Sequence, residues 1–162
     1  MFRKVVVQTE DFDVGAEIAN ASSIGKDVGA VVSFVGVCRD EGGTLSGIDL
    51  ECYPAMAYLE LDAIISAASV RWALESATVI HRYGRIPIGE HIVLVAVASR
   101  HRGEAFAAAD LIMDFLKRDA PFWKREFRGS GEREVANWVD PKLADAVAVA
   151  RWGTLTTESY RR

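Results

Sequence analysis

Positive charge is in short supply along this chain. Nineteen lysines and arginines stand against 23 acidic residues, a net charge of −4, so no general basic field draws the protein to nucleic acid. No apolar run approaches the roughly 18 residues of a membrane span. The opening MFRKVVVQTEDFD soon turns acidic and lacks the apolar segment of a secretion signal. The expected address is therefore the cytoplasm. Only two cysteines occur, Cys38 and Cys52, both in apolar, strand-like surroundings. Without an export signal they read as reduced thiols rather than a disulfide. His81, His91 and His101 keep no ligand spacing with those cysteines, so no metal and no cofactor are implied.

What is present is enough for a core. Of 162 residues, 50% are hydrophobic and 26% charged, the size and composition of one globular domain over residues 1–162. No repeat, low-complexity tract or linker interrupts it. Strands are expected at 3–8, 29–39, 45–53, 76–84 and 90–99, from β-branched or alternating apolar residues. The 45–53 strand is read as returning antiparallel to 29–39 after the turn DEGGT. RIPIG is read as the link between the next two strands. A short helix is expected at 13–22, with Asp13 as its cap. Two long ones are expected at 55–74, after Pro54, and at 101–119. Strands mixed with helices and joined by hairpins predict an α+β fold with a largely antiparallel sheet.

The stretch KRDAPFWKRE, residues 117–126, breaks the last helix. Pro121 cannot continue a helix and pushes Ala120 out of the α region. Lys117 is left in the final turn, where the carbonyl end of the dipole favours a cation. Ile112, Phe115 and Leu116 lie on the face that packs on the sheet, whereas Met113 and Lys117 share another face. Seven residues of unbroken helix would separate Lys117 from Lys124 by about 10 Å along one side. A helix followed by a turn folds them toward one spot. Read alone, however, Lys117 caps a helix, Lys124 is solvated, and Phe122 and Trp123 fill core.

Two further clusters bear on that choice. FVGVCRD (34–40) delivers Arg39 to the end of a buried strand, a place suited to bidentate recognition of phosphate or carboxylate. Taken alone, a surface ion pair with Asp40 or Glu41 is the favoured reading of Arg39. SRHRGEAF (99–106) puts His101 and Arg102 where a helix begins. Cations there oppose the dipole, a local conflict that an anionic ligand would resolve.

GAVVSFVGVCRD, LECYPAMA, VIHRYGRIPIGE, VAVASRHRGEAFAA and LIMDFLKRDAPFWKRE occur in the order and spacing of the molybdopterin synthase catalytic (large) subunit family. The resemblance covers residues 28–126. It implies an α/β hammerhead-like fold and a sulfurtransferase that adds two sulfurs to cyclic pyranopterin monophosphate, making the dithiolene of molybdopterin for the molybdenum cofactor. It implies a partner, a small ubiquitin-like sulfur carrier whose C-terminal Gly-Gly ends in a thiocarboxylate and threads into this subunit. It also implies a homodimer of large subunits within a heterotetramer. By motif position Lys117 and Lys124 match the catalytic lysines. Arg39, His101 and Arg102 match the substrate pocket, and Phe34 and Met113 its apolar lining. Val37, Cys38, Arg125, Glu126 and Lys142 join the substrate-binding set.

The residue chemistry suits that role. Lysines, arginines and a histidine are electrostatically complementary to a phosphate and an acyl sulfur anion. Lys117, beside Met113 and the aromatics, is expected to be partly desolvated. Phe122 and Trp123 are expected to wall a channel narrow enough to select a Gly-Gly tail. The chain departs from the family pattern at Val37, where some relatives carry lysine, and at Lys142, which takes an arginine position. Past Glu126 the match loosens, with an apparent insertion before WVDPK. Two other classes are open on sequence: an enzyme using Cys38 as nucleophile with His101 as base, and a non-catalytic RNA-binding module.

Overall fold

The computed structural model describes residues 1–129, 134–140 and 143–153. The order is β1 (Phe2–Gln8), α1 (Val14–Ser22), β2 (Ala30–Val37), β3 (Leu45–Cys52), α2 (Pro54–Arg71), β4 (Leu74–Arg82), β5 (Gly84–Pro87), β6 (His91–Ser99), α3 (Arg102–Asp119), β7 (Phe122–Arg128), β8 (Val135–Val139) and α4 (Leu143–Ala150). The chain is α+β. Local chemistry sets the helix starts: Asp13 accepts from the Ala16 N–H at 2.9 Å, and Pro54 occupies the first turn of α2. Among the described residues, no helix is long and apolar enough to cross a membrane.

Two four-stranded sheets form, ordered β1-β4-β6-β2 and β5-β3-β7-β8. β1 runs parallel to β4, and every other pairing is antiparallel. In the first sheet Ala77, Val79, Val93, Val95 and Val97 point to one face and pack with α2 and α3. Ala105, Ala108, Leu111, Ile112 and Phe115 are the fully buried stripe of α3. Burying a side chain such as Phe115 contributes on the order of 1.5–3 kcal/mol. This packing fixes where the end of α3 lies. A smaller cluster of Cys38, Leu45, Ile48, Leu50 and Ile86 sits against the second sheet.

The hairpin expected from β2 and β3 does not form. β2 pairs with β6, from Ala30 opposite Ser99 to Val37 opposite His91, whereas β3 pairs with β5 and β7. The reason lies in long-range pairing. The apolar β6 takes β2 and β4 as its neighbours, and the backbone of Cys38 is clamped by Glu90 and Gly89 at 2.8 and 2.7 Å. The DEGGT turn therefore crosses between sheets. Gly84, at φ +78°, likewise lets the chain leave β4 for the second sheet. RIPIG is not a plain link, since its first residues belong to β5. β7, β8 and α4 lie beyond the elements that periodicity picked out.

Candidate functional site

The strand β7 decides what surrounds the two lysines. Side chains alternate along a strand, so Phe122, Lys124, Glu126 and Arg128 take one face and Trp123, Arg125 and Phe127 the other. The first set turns toward a cavity of about 600 Å³, a volume in the range of small-molecule sites. It opens between the two sheets. β2 and its exit supply Phe34, Val37, Cys38 and Arg39; β3 supplies Leu45, Ile48 and Leu50; β4 supplies His81. Leu116 and Lys117 come from α3, Phe122 and Lys124 from β7, and Asp140 and Asp145 from beyond β8 and from α4.

Lys117 and Lys124 thus reach one cavity from two elements. Ala120 is extended, at φ −65° and ψ 128°, as Pro121 requires. The Phe122 N–H then bonds the Ala120 carbonyl at 2.8 Å, closing a tight turn. Lys117 is exposed, not desolvated as expected, and has no ion-pair partner among the described residues. Lys124 is more enclosed, with its ammonium 2.7 Å from Glu126. Glu126 is buried and also meets Arg128 at 3.0 Å. The Lys124 hydrogen bond, with Arg128 behind it and burial opposing both, holds the Glu126 carboxyl below its usual range.

Arg39 stands at the mouth with its guanidinium exposed, donating to Glu41 from Nε at 3.1 Å and Nη2 at 2.7 Å. An entering anion therefore competes with Glu41 for it. Phe34 and Val37 line the same mouth, 40% and 47% exposed. Cys38 lies at the back, 2% exposed, and burial pushes its thiol up despite the nearby Lys124 charge. Burial likewise raises Cys52. A protonated, enclosed thiol is a poor nucleophile.

Other expected site residues lie elsewhere in the same chain. His101 caps α3 and Arg102 begins it, both exposed. Fifteen residues of helix put Arg102 about 22 Å from Lys117 along the axis. His101 therefore cannot serve as base to Cys38 within one subunit. Met113 packs against the main core and is outside the cavity lining. Arg125 points away from Lys124 and pairs with Asp49 at 2.5 Å and Glu51 at 2.6 Å. Trp123 shares that outer face, edge-on to Tyr53 at 6.2 Å, so only Phe122 of the two aromatics borders the cavity. Lys142 lies outside the described residues.

Sequence reasoning passed over His81, which is 5% exposed and lines the cavity. Its ring stacks on Phe122 with centroids 3.8 Å apart and planes at 17°. The available signal was an imidazole placed directly after the strand-forming run TVI. Burial, reinforced by the Lys117 charge and opposed by the bond to the Arg82 carbonyl, lowers His81 to about 4. The folded chain thus keeps a neutral imidazole where the unfolded one takes a proton. Protons favour unfolding in that window, so this contribution is intact above pH 6.5 and is lost as pH falls toward 4. The loss should amount to about 3 kcal/mol. Urea titrations from pH 7 to pH 4 should show this slope in the parent protein and a flatter one in His81→Gln. Equal slopes would mean that His81 is not the group responsible.

Among the described residues, no group of three or more His, Cys, Asp or Glu side chains is placed to hold a metal ion. A family model described as "MoaE protein" matches residues 7–119. Over 148 residues the chain is 53% identical to the molybdopterin synthase catalytic subunit of Mesorhizobium japonicum, covering 91% of this chain and 92% of that one. Its fold is similar to the molybdopterin biosynthesis MoaE protein from Burkholderia ambifaria, at a TM-score of 0.79 and 39% identity, covering 95% and 99% of the two chains. The protein–protein complex of subunits 1 and 2 of molybdopterin-converting factor from Helicobacter pylori contains the same fold, at a TM-score of 0.64 and 21% identity, covering 76% and 83%.

Proposed function

The chain belongs to the MoaE family of molybdopterin synthase catalytic subunits, and from that premise we propose that the cavity between its two sheets is where sulfur is transferred. The subunit is a sulfurtransferase of molybdenum cofactor biosynthesis. Its substrate in this reading is cyclic pyranopterin monophosphate. Its sulfur donor is the C-terminal thiocarboxylate of a small ubiquitin-like subunit, in keeping with the two-subunit complex from Helicobacter pylori. The observation that carries the proposal is the convergence of Lys117 and Lys124, held apart in sequence by Pro121, on one cavity with Arg39 at its mouth.

Each transfer moves one sulfur from an acyl carbon to a substrate carbon, and the acyl carbon ends as a carboxylate with an oxygen from water. Negative charge sits on the thiocarboxylate at the start and on the acyl oxygens as the sulfur leaves. Lys117, without a carboxylate partner among the described residues, is free to meet that charge. Lys124 is already compensated by Glu126, so it acts as a positioned hydrogen-bond donor rather than as a surplus charge. Arg39 exchanges Glu41 for the substrate phosphate. Phe122 forms a flat apolar wall beside the path of a Gly-Gly tail, which, when extended, advances about 3.3–3.6 Å per residue.

His101 and Arg102 take a different place in this reading. Being about 22 Å from Lys117 along α3, they serve the cavity of a second large subunit, consistent with a homodimer at the centre of a heterotetramer. The direct test of the function is reconstitution of this chain with a thiocarboxylated small subunit and cyclic pyranopterin monophosphate. Dithiolene product is expected, with two carriers consumed per product. A reconstituted complex that forms no dithiolene would overturn the reading.

A further inference from the structure

His81 is more than a filler under Phe122. Its Nδ1 lies 2.8 Å from the Arg82 carbonyl oxygen. A carbonyl only accepts, so the ring proton is on Nδ1 and Nε2 keeps a lone pair. The stack on Phe122, at 3.8 Å and 17°, holds the plane of the ring. Nε2 has no protein partner among the described residues. Nor is it one of the sealed, unpartnered polar side-chain atoms among the described residues, which are Ser76 Oγ and Arg125 Nε. Since His81 lines the cavity, this lone pair is open to whatever occupies it.

The rest of the lining makes that lone pair distinctive. Lys117, Lys124 and Arg39 present positive charge, and Glu41, Asp140 and Asp145 present negative charge. Among the described lining residues, His81 is the one neutral side chain with a nitrogen or oxygen acceptor. Anions are met by the cations. A neutral heterocycle carrying N–H groups needs a neutral acceptor instead, because a carboxylate there would pair with the adjacent lysines. An imidazolium would donate, not accept, and burial keeps this ring from charging at neutral pH.

We infer that His81 is a substrate-orienting residue whose Nε2 accepts a hydrogen bond from an N–H of the pyranopterin heterocycle. The inference rests on the cavity being the transfer site. It places the ring system toward β4 and Phe122, with the phosphate toward Arg39 and the reacting carbons between the two lysines.

Four variants test it in the reconstituted complex with cyclic pyranopterin monophosphate. His81→Asn keeps a donor for the Arg82 carbonyl but lacks an acceptor at the Nε2 position. His81→Phe keeps a flat ring against Phe122 and also lacks the acceptor. His81→Gln can place a carboxamide oxygen near the Nε2 position. Lys117→Ala is run beside them. Asn and Phe should each raise KM for the pyranopterin by about threefold to tenfold, the range of one neutral hydrogen bond, with kcat within about twofold. Gln should recover most of the affinity. Parental KM in the Phe or Asn variant, an equal loss in all three, or a fall in kcat with KM unchanged would overturn the assignment while the cavity reading stands. Near-normal turnover by Lys117→Ala would instead remove the cavity reading, and the His81 inference with it.

Discussion

Lys117→Ala should lose sulfur transfer by at least about 10²–10³-fold in turnover, the cost of removing one group that stabilises developing charge. Its fold should be unaffected. Lys117 is exposed, it lies off the Phe115 and Ile112 stripe, and alanine suits a helix at least as well. The stability lost is the cation's interaction with the end of the helix, about 0.3–1 kcal/mol. That corresponds to a melting shift of only a few degrees. Lys124→Ala differs, because it also strips the buried Glu126 of its 2.7 Å partner and leaves it Arg128 alone, so stability falls together with activity. Lys117→Arg refines the first result. A purely electrostatic role allows partial recovery, whereas a role that requires a free amine does not. Single-turnover assays with thermal melts decide the matter, and near-normal turnover in Lys117→Ala would refute the placement of the site.

Co-expression of Lys117→Ala with Arg102→Ala should, at pyranopterin concentrations below the parental KM, restore activity well above that of either variant alone. If Arg102 serves the partner's cavity, a mixed dimer carries one site with both substitutions and one with neither. Random pairing makes half of the dimers mixed, so about a quarter of parental activity returns. Arg102→Ala by itself should weaken pyranopterin binding by about 1.5–3 kcal/mol, the value of a charged hydrogen bond. Were Arg102 to act in its own subunit's cavity, each mixed dimer would carry two singly damaged sites, and mixing would recover nothing. The length of α3 already argues against that alternative, and separately tagged, co-purified dimers provide the measurement.

The break between Lys117 and Lys124 is legible in the chain alone because its physics is local. Pro121 ends a helix by steric exclusion, and the apolar stripe of α3 can be counted from Ala105 to Phe115. The same holds for Asp13 as a cap, Pro54 at a helix start, and the strands at β1, β4 and β6. All depend on dihedral limits and on periods of two or 3.6 residues. β7 escaped because both of its faces carry charge. Lys124, Glu126 and Arg128 on one side and Arg125 on the other are stabilised by ion pairs that only a folded neighbourhood supplies.

Pairing across the fold settled the rest. Adjacency in sequence favoured a β2–β3 hairpin, yet the two strands went to different sheets, and the cavity exists because they did. Phe122 and Trp123 look equivalent in the chain, but strand alternation sends one to the cavity and the other to Tyr53. His81 came to line the cavity through β4 lying beside β6 and its ring stacking on Phe122, a neighbourhood that no local pattern records. His101 and Arg102 come from a different motif than Lys117, and one rigid helix holds them at its opposite end. The sequence determined which residues could do the chemistry, since residue type and backbone geometry are local. The tertiary structure decided which of them share a cavity, since that depends on contacts between segments far apart in the chain.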